Sequence, residues 1–142
     1  MSFERKKILI IDDEPSILRI YTKMLVELGF TARWALNADN AMDILIREKI
    51  DLVLLDIKMP GVDGKTMFEV IHEYDPMLKV IVSSVYAVER QKELIPCARD
   101  YFDKSRGLPV LIEKMMGVLF EEAGETDIKR HLEVFKWVNN LK

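Results

Sequence analysis

"DLVLLDIKMPGVDG" (Asp51–Gly64) carries four apolar residues straight into an aspartate and then turns on two glycines. A short continuous apolar run of Leu and Val is the pattern of a strand buried on both faces of a parallel sheet. A carboxylate at the end of such a strand is costly unless it reaches solvent, a cation or hydrogen-bond donors. Asp56 is therefore either a turn residue or part of a site, and the rest of the chain decides between them.

Working outward, "ILII" (8–11) and "VIV" (80–82) repeat the buried-strand pattern, and "TARWAL" (31–36) and "DYF" (100–102) fit weaker strands. Helical periods lie between them. The clearest opens with Pro15, a residue suited to a first helical position. It sets Ile17, Tyr21, Met24, Leu25 and Leu28 on one face and closes at Gly29. Further helices are predicted at about 38–48, 64–75, 87–95 and 108–122. Five β-α units with right-handed crossovers make an α/β three-layer sandwich.

Composition fits one soluble domain: 142 residues, 49% hydrophobic and 32% charged. The net charge of −3 comes without a basic block, so neither direct nucleic-acid binding nor an anionic membrane surface is expected. No apolar run approaches the roughly 18 residues of a membrane span. "MSFERKKILII" does not read as a signal peptide, and Cys97 is the single cysteine, so a reducing cytoplasm is the expected location. Cys97 is expected to be a small buried apolar residue. His72 and His131 fall on separate helical segments and suggest no metal site.

In a parallel sheet the residues that follow the strands collect at one edge, where open α/β sheets bind their ligands. Here they are Asp12 and Asp13, Asp56, Ser83 or Ser84, and Lys104. Two like charges about 4 Å apart repel by roughly 4 kcal/mol at an effective dielectric of about 20, so three carboxylates need a cation. Oxygen ligands without Cys or His call for a hard divalent ion, most naturally Mg²⁺. A carboxylate beside such an ion can attack phosphorus and form an acyl phosphate, with Lys104 neutralising phosphoryl oxygens.

The motifs "IDDEP" (11–15), "LLDIKMPGVDG" (54–64), the Ser84 that ends "VIVSS" and the lysine of "DYFDKS" (100–105) stand in order and at matching spacing. Over about residues 5–122 the chain resembles the receiver domains of two-component response regulators. That resemblance implies a flavodoxin-like (βα)5 fold with strand order 2-1-3-4-5. It implies that Asp56 accepts phosphate from a sensor histidine kinase or phosphotransfer protein, and that Asp12, Asp13, Asp56 and the Lys58 backbone carbonyl bind Mg²⁺. Ser84 would contact the phosphoryl group, Lys104 would pair with it, and Tyr101 would be the aromatic that reorients. The chain would act as a phosphorelay switch with a downstream protein partner rather than as an enzyme with turnover.

Blander roles exist for single residues. Asp13 alone could cap a helix, Ser84 could cap the next one, and Tyr101 could be a core aromatic at the sheet edge. The chain also departs from the family pattern. Ser105 follows the lysine where proline is usual, Cys97-Ala98 replaces Gly-Ala, and Pro96 limits the fourth helix, which is expected to be short. Lys58 and Tyr86 carry large side chains that would crowd an attacking water, which predicts slow loss of the phosphate. After a receiver domain at 1–124, the segment 125–142 reads as an amphipathic helix over 126–142 with Thr126 as cap. Its apolar face holds Ile128, Leu132, Phe135, Val138 and Leu141, with Val134 and Trp137 widening it. That face suits packing on the domain itself. It equally suits a partner or homodimer contact, the alternative dimer surface being the fourth helix and fifth strand.

Two other functions compete. A Mg²⁺-dependent phosphatase needs a second acid two residues beyond its nucleophile, and that position is Lys58. A degenerate receiver acting as a phosphorylation-independent binding module would not need the full acidic set. A nucleotide binder would need a Gly-rich loop where "DDEPS" stands.

Overall fold

Alternating strands and helices fold as the periodicity requires: β1 (Lys7–Ile11), α1 (Pro15–Glu27), β2 (Thr31–Ala35), α2 (Ala38–Arg47), β3 (Leu52–Leu55), α3 (Gly64–Tyr74), β4 (Lys79–Ser84), α4 (Val88–Leu94), β5 (Asp100–Asp103) and α5 (Leu108–Leu119). The computed structural model describes residues 5–59, 61 and 63–121. The predicted 126–142 helix, with His131 and Trp137, lies outside the described residues. So do the boundary at 124 and the turn residue Pro60.

All strand pairings are parallel, in the order β2-β1-β3-β4-β5. Each central strand feeds two cores because successive side chains point to opposite faces. Ile8, Ile10, Leu52, Leu54, Ile81 and Phe102 pack under α1 and α5. Leu9, Ile11, Val53, Leu55, Val80, Val82 and Tyr101 pack under α2, α3 and the end of α4. This two-sided burial is why the strands read as continuous apolar runs rather than as alternation.

Helix α1 begins at Pro15 and ends in a left-handed glycine. Gly29 has φ 92°, its N–H donates to the Val26 carbonyl at 3.0 Å, and the Phe30 N–H donates to the Leu25 carbonyl at 2.9 Å. This doubled closure satisfies the last carbonyls of the helix. The buried face includes Leu18, which the sequence reading left out, while Ile17 is only partly buried. Two further differences follow from packing. Strand β4 extends past the apolar run because the buried Ser83 and Ser84 keep pairing with Phe102 and Asp103. Cys97, expected to be buried, is exposed, because it sits in the turn after α4 while Ile95 fills the core position. The short α4 was anticipated, with seven residues before Pro96.

Gly64 fixes the loop that follows β3. A Cβ there would lie 2.4 Å from the Ile57 Cα, and the Gly64 N–H donates to the Ile57 carbonyl at 3.0 Å. Helix α3 is thereby pressed onto the backbone next to Asp56. Asp63 caps α3 by accepting from the Thr66 N–H at 2.8 Å, a bond that holds its carboxyl below the usual range. Gly61, with φ 92°, makes the intervening turn in a conformation that side chains resist.

Candidate functional site

Strands β1 and β3 are neighbours although β2 comes between them in the chain, so their ends form the switch point of the sheet. Asp12 and Asp56 stand there side by side. The ladder continues into them, with the Asp56 N–H donating to the Ile11 carbonyl at 2.9 Å. Both are nearly inaccessible, at 2% and 4% exposure. Each carboxylate uses one oxygen locally. Asp12 Oδ1 accepts from the Glu14 N–H at 3.0 Å, and Asp56 Oδ1 accepts from the Lys58 N–H at 3.1 Å. The remaining oxygens share one cation: Lys104 Nζ donates to Asp12 Oδ2 at 2.7 Å and to Asp56 Oδ2 at 3.3 Å.

Lys104 is held by a single 3-10 turn, Lys104–Arg106, immediately after β5. Asp103 organises that turn, its Oδ1 accepting from the Ser105 N–H at 2.9 Å and from the Ser105 hydroxyl at 2.7 Å. These two bonds keep the Asp103 carboxyl below its usual range. Ser105, in the position where the family pattern has proline, thus serves as a turn-closing donor, and no peptide among the described residues is cis.

Asp13 is half-buried beside the pair. Asp12, Asp13 and Asp56 each offer a carboxylate oxygen, and these three atoms lie within 4.8 Å of one another. Burial, reinforced by the charge of Asp12, pushes the Asp56 carboxyl up to about 6 against the pull of Lys104 and the Lys58 N–H. Burial works against the Lys104 ammonium, but its bond to Asp12 and the charges of both carboxylates raise it above the ordinary lysine value. Asp56 is thus ionised at neutral pH, though less readily than an ordinary aspartate, and Lys104 is charged.

The competing single-residue roles can now be judged. Asp13 does not cap α1; the residue at that position is Glu14, which makes no side-chain cap bond. Ser84 does not cap α4, whose first flanking residue is Ala87. Its Oγ instead accepts from the Tyr86 N–H at 3.2 Å, and the residue is fully buried at the end of β4. Tyr101 is a buried aromatic at the sheet edge whose hydroxyl donates to the Ile95 carbonyl and accepts from the Ala98 N–H at 3.2 Å. Burial raises its phenol above the usual value.

Three features of the site region escaped the sequence reading. Tyr21, assigned only to a core face, has its hydroxyl 3.5 Å from Ser83 Oγ, and burial raises its phenol. Lys58 Nζ lies over the Tyr86 ring, 5.3 Å from its centroid, so two residues read separately as bulky form one cation–π pair. Gln91 is fully buried and bonded to two backbone carbonyls. Its spacing with Val88 and Ile95, at i−3 and i+4, was the available signal for that burial.

Residues 8–116 match the response regulator receiver domain family. Sporulation initiation phosphotransferase F of Bacillus subtilis is 34% identical over 93 residues, which are 63% of this chain and 75% of that protein. The transcriptional regulatory protein GlrR of Escherichia coli is 30% identical over 86 residues, 61% of this chain but only 19% of the longer relative. Among solved structures, the response regulator protein TrrA of Thermotoga maritima in complex with Mg²⁺-BeF superposes with a TM-score of 0.74 at 32% identity. The match covers 80% of this chain and 99% of TrrA. TrrA in complex with the histidine kinase ThkA superposes equally well. With the β2-β1-β3-β4-β5 sheet and the acidic cluster at its switch point, these matches make the chain a member of the response-regulator receiver family and a phosphoacceptor of two-component phosphorelay signalling.

Proposed function

We propose that Asp56 is the phosphoacceptor, receiving the phosphoryl group of a sensor histidine kinase or phosphotransfer protein. The observation that carries this reading is the bridging of Asp12 and Asp56 by Lys104, with Asp13 alongside. In the transfer, an Asp56 carboxylate oxygen forms a bond to phosphorus, the phosphohistidine P–N bond breaks, and its electron pair leaves on the imidazole nitrogen. Asp56 must be ionised to attack, and at neutral pH its carboxyl, raised to about 6 by burial, is still ionised. Lys104, already charged and within reach of Asp56, neutralises the incoming phosphoryl oxygens, and Ser84 supplies a hydroxyl at the end of β4. Asp13 and Lys58 border an open depression of about 620 Å³ next to the acidic cluster.

The donor set fits Mg²⁺. Three hard carboxylate oxygens lie close together, and the single ammonium among them leaves negative charge uncompensated. Asp12, Asp13, Asp56 and the Lys58 carbonyl would hold the ion, which when bound supplies positive charge to offset that of the phosphoryl group. Asp13→Ala is expected to weaken Mg²⁺ binding at least about tenfold and to leave the fold intact, because Asp13 is the most accessible member and makes no capping bond. Titration calorimetry measures this directly, and unchanged affinity would remove Asp13 from the ligand set.

Incubation of the protein with a small acyl phosphate and Mg²⁺, followed by mass analysis, tests the function. One stable phosphoryl group per chain is expected. Continuous hydrolysis would indicate a phosphatase, and no adduct would indicate a binding module independent of phosphorylation. The Lys58–Tyr86 pair beside Asp56 supports slow loss of the phosphate.

The receiver unit of this reading spans 1–124. The altered surface lies around 84–106, where Ser84 and Lys104 are attached, and Tyr101 belongs to the same region. Segment 125–142 supplies a partner or homodimer contact. Sedimentation of the full chain and of a chain ending at Gly124, each with and without phosphate, checks this. Identical association in all four samples would reduce the segment to packing.

A further inference from the structure

A glutamine with no exposure is unusual in the middle of a helix lying on a sheet, since an apolar side chain would fill the space without desolvating an amide. The bonds of Gln91 account for its presence. Its Nε2 donates to the Tyr86 carbonyl at 2.7 Å and to the Phe102 carbonyl at 2.8 Å. Only the NH₂ group can serve two acceptors, so the amide orientation is settled by its partners. Its Oε1 is buried and has no hydrogen-bond partner among the described residues.

The two carbonyls belong to the segments that carry the phosphate-facing groups. Tyr86 is tied to Ser84, whose Oγ accepts the Tyr86 N–H. Phe102 lies two residues before Lys104 on β5, the edge strand of the sheet. A continuous path therefore runs from Ser84 through Tyr86 to Gln91, and from Gln91 through Phe102 to Lys104, whose ammonium holds Asp12 and Asp56. Gln91 itself sits in the seven-residue α4, which has no side-chain cap to anchor it independently.

We infer that Gln91 is the positioning residue that couples the phosphoryl site to α4. When Ser84 and Lys104 shift toward phosphoryl oxygens, both carbonyls held by Nε2 move, and α4 must follow or lose a buried bond. Gln91 touches no reacting atom. Its part is to make two loops and one helix move together. This rests on Asp56 being the phosphoacceptor.

The test uses the full ¹⁵N-labelled chain with Mg²⁺, before and after saturation with beryllium fluoride as a phosphoryl mimic. In the native protein the Gln91 side-chain NH₂ signals are expected to shift together with the backbone amides of Ser84, Tyr86, Phe102 and Lys104 and with those of Val88–Leu94. Gln91→Met keeps the volume and removes both donors. It is expected to leave the phosphorylation rate within about twofold of native while abolishing the response over Val88–Leu94. Ile95→Val, one turn along, loosens the same packing without touching either bond; it should lower the melting temperature and keep the α4 response. Shifts at Asp56, Ser84 and Lys104 with an unmoved Gln91 NH₂ in the native protein would overturn the inference alone. A full α4 response in Gln91→Met would do the same, and no shift anywhere would overturn the phosphoacceptor reading with it.

Discussion

Asp56→Asn is expected to reduce phosphoryl incorporation from one group per chain to none, while making the Mg²⁺-free protein more stable at neutral pH. Asparagine keeps the shape of the side chain and an oxygen that can accept the Lys58 N–H, but it offers no anionic oxygen to phosphorus. The stability gain follows from the environment of the carboxylate. In the folded protein Asp56 is raised to about 6, chiefly by burial. The folded state therefore binds the proton more tightly than the unfolded one, so native stability declines as pH rises from about 4 to about 6 and is level above that. The charge removed by asparagine is worth about 3 kcal/mol at pH 7 on this reasoning, and little below about pH 4. Chemical denaturation at pH 4 and pH 7 measures the difference, and intact-mass analysis measures the phosphate. Equal phosphorylation of the asparagine variant would sink the assignment of Asp56. Equal stability at both pH values would show that its carboxylate is not strained by burial.

Lys104→Met is expected to have the second largest effect, on both stability and rate. Lys104 is the cation within hydrogen-bond distance of both buried carboxylates, at 2.7 and 3.3 Å. Removing one partner from a buried ion pair typically costs about 3–5 kcal/mol because the other charge is stranded. Here Asp56 can relieve part of that cost by taking a proton, since its carboxyl already stands near 6. A loss of about 2–3 kcal/mol at pH 7 without Mg²⁺ remains, and it shrinks as the pH falls toward about 6, below which Asp56 is protonated with or without Lys104. Phosphorylation by an acyl phosphate and Mg²⁺ is expected to slow by at least about tenfold, because the phosphoryl oxygens lose the ammonium that would neutralise them. A native rate together with native stability would mean that Lys104 is merely near the carboxylates and does not govern their charge.

Local signals carried the fold. Strand burial on two faces is written in runs such as "LVLL", helix ends in Pro15 and Gly29, and the brevity of α4 in Pro96, because each depends on a few neighbouring residues. The positions of Asp12, Asp56, Ser84 and Lys104 at strand ends were legible for the same reason, since parallel topology alone brings strand ends to one edge. Cys97 shows where such reasoning stops. A small apolar residue next to a core helix suggests burial, but Ile95 had already taken the place.

By itself, then, the sequence determined the five β-α units and the edge at which the acids gather, both consequences of periodicity and topology. Tertiary structure alone decided which groups meet there. The Lys104 bridge joins residues 92 and 48 positions apart, and no local pattern specifies the successive registers of β5 on β4, β4 on β3 and β3 on β1 that bring them within 3.3 Å. It also decided that Lys58 would lie over Tyr86 and that Gln91 would spend both its donors on carbonyls of different segments. The reason is physical: apolar burial is non-directional and tolerates many partners, so pattern suffices to predict it. A hydrogen bond or ion pair needs one partner at one distance and angle, which exists only once the sheet register and helix packing are complete.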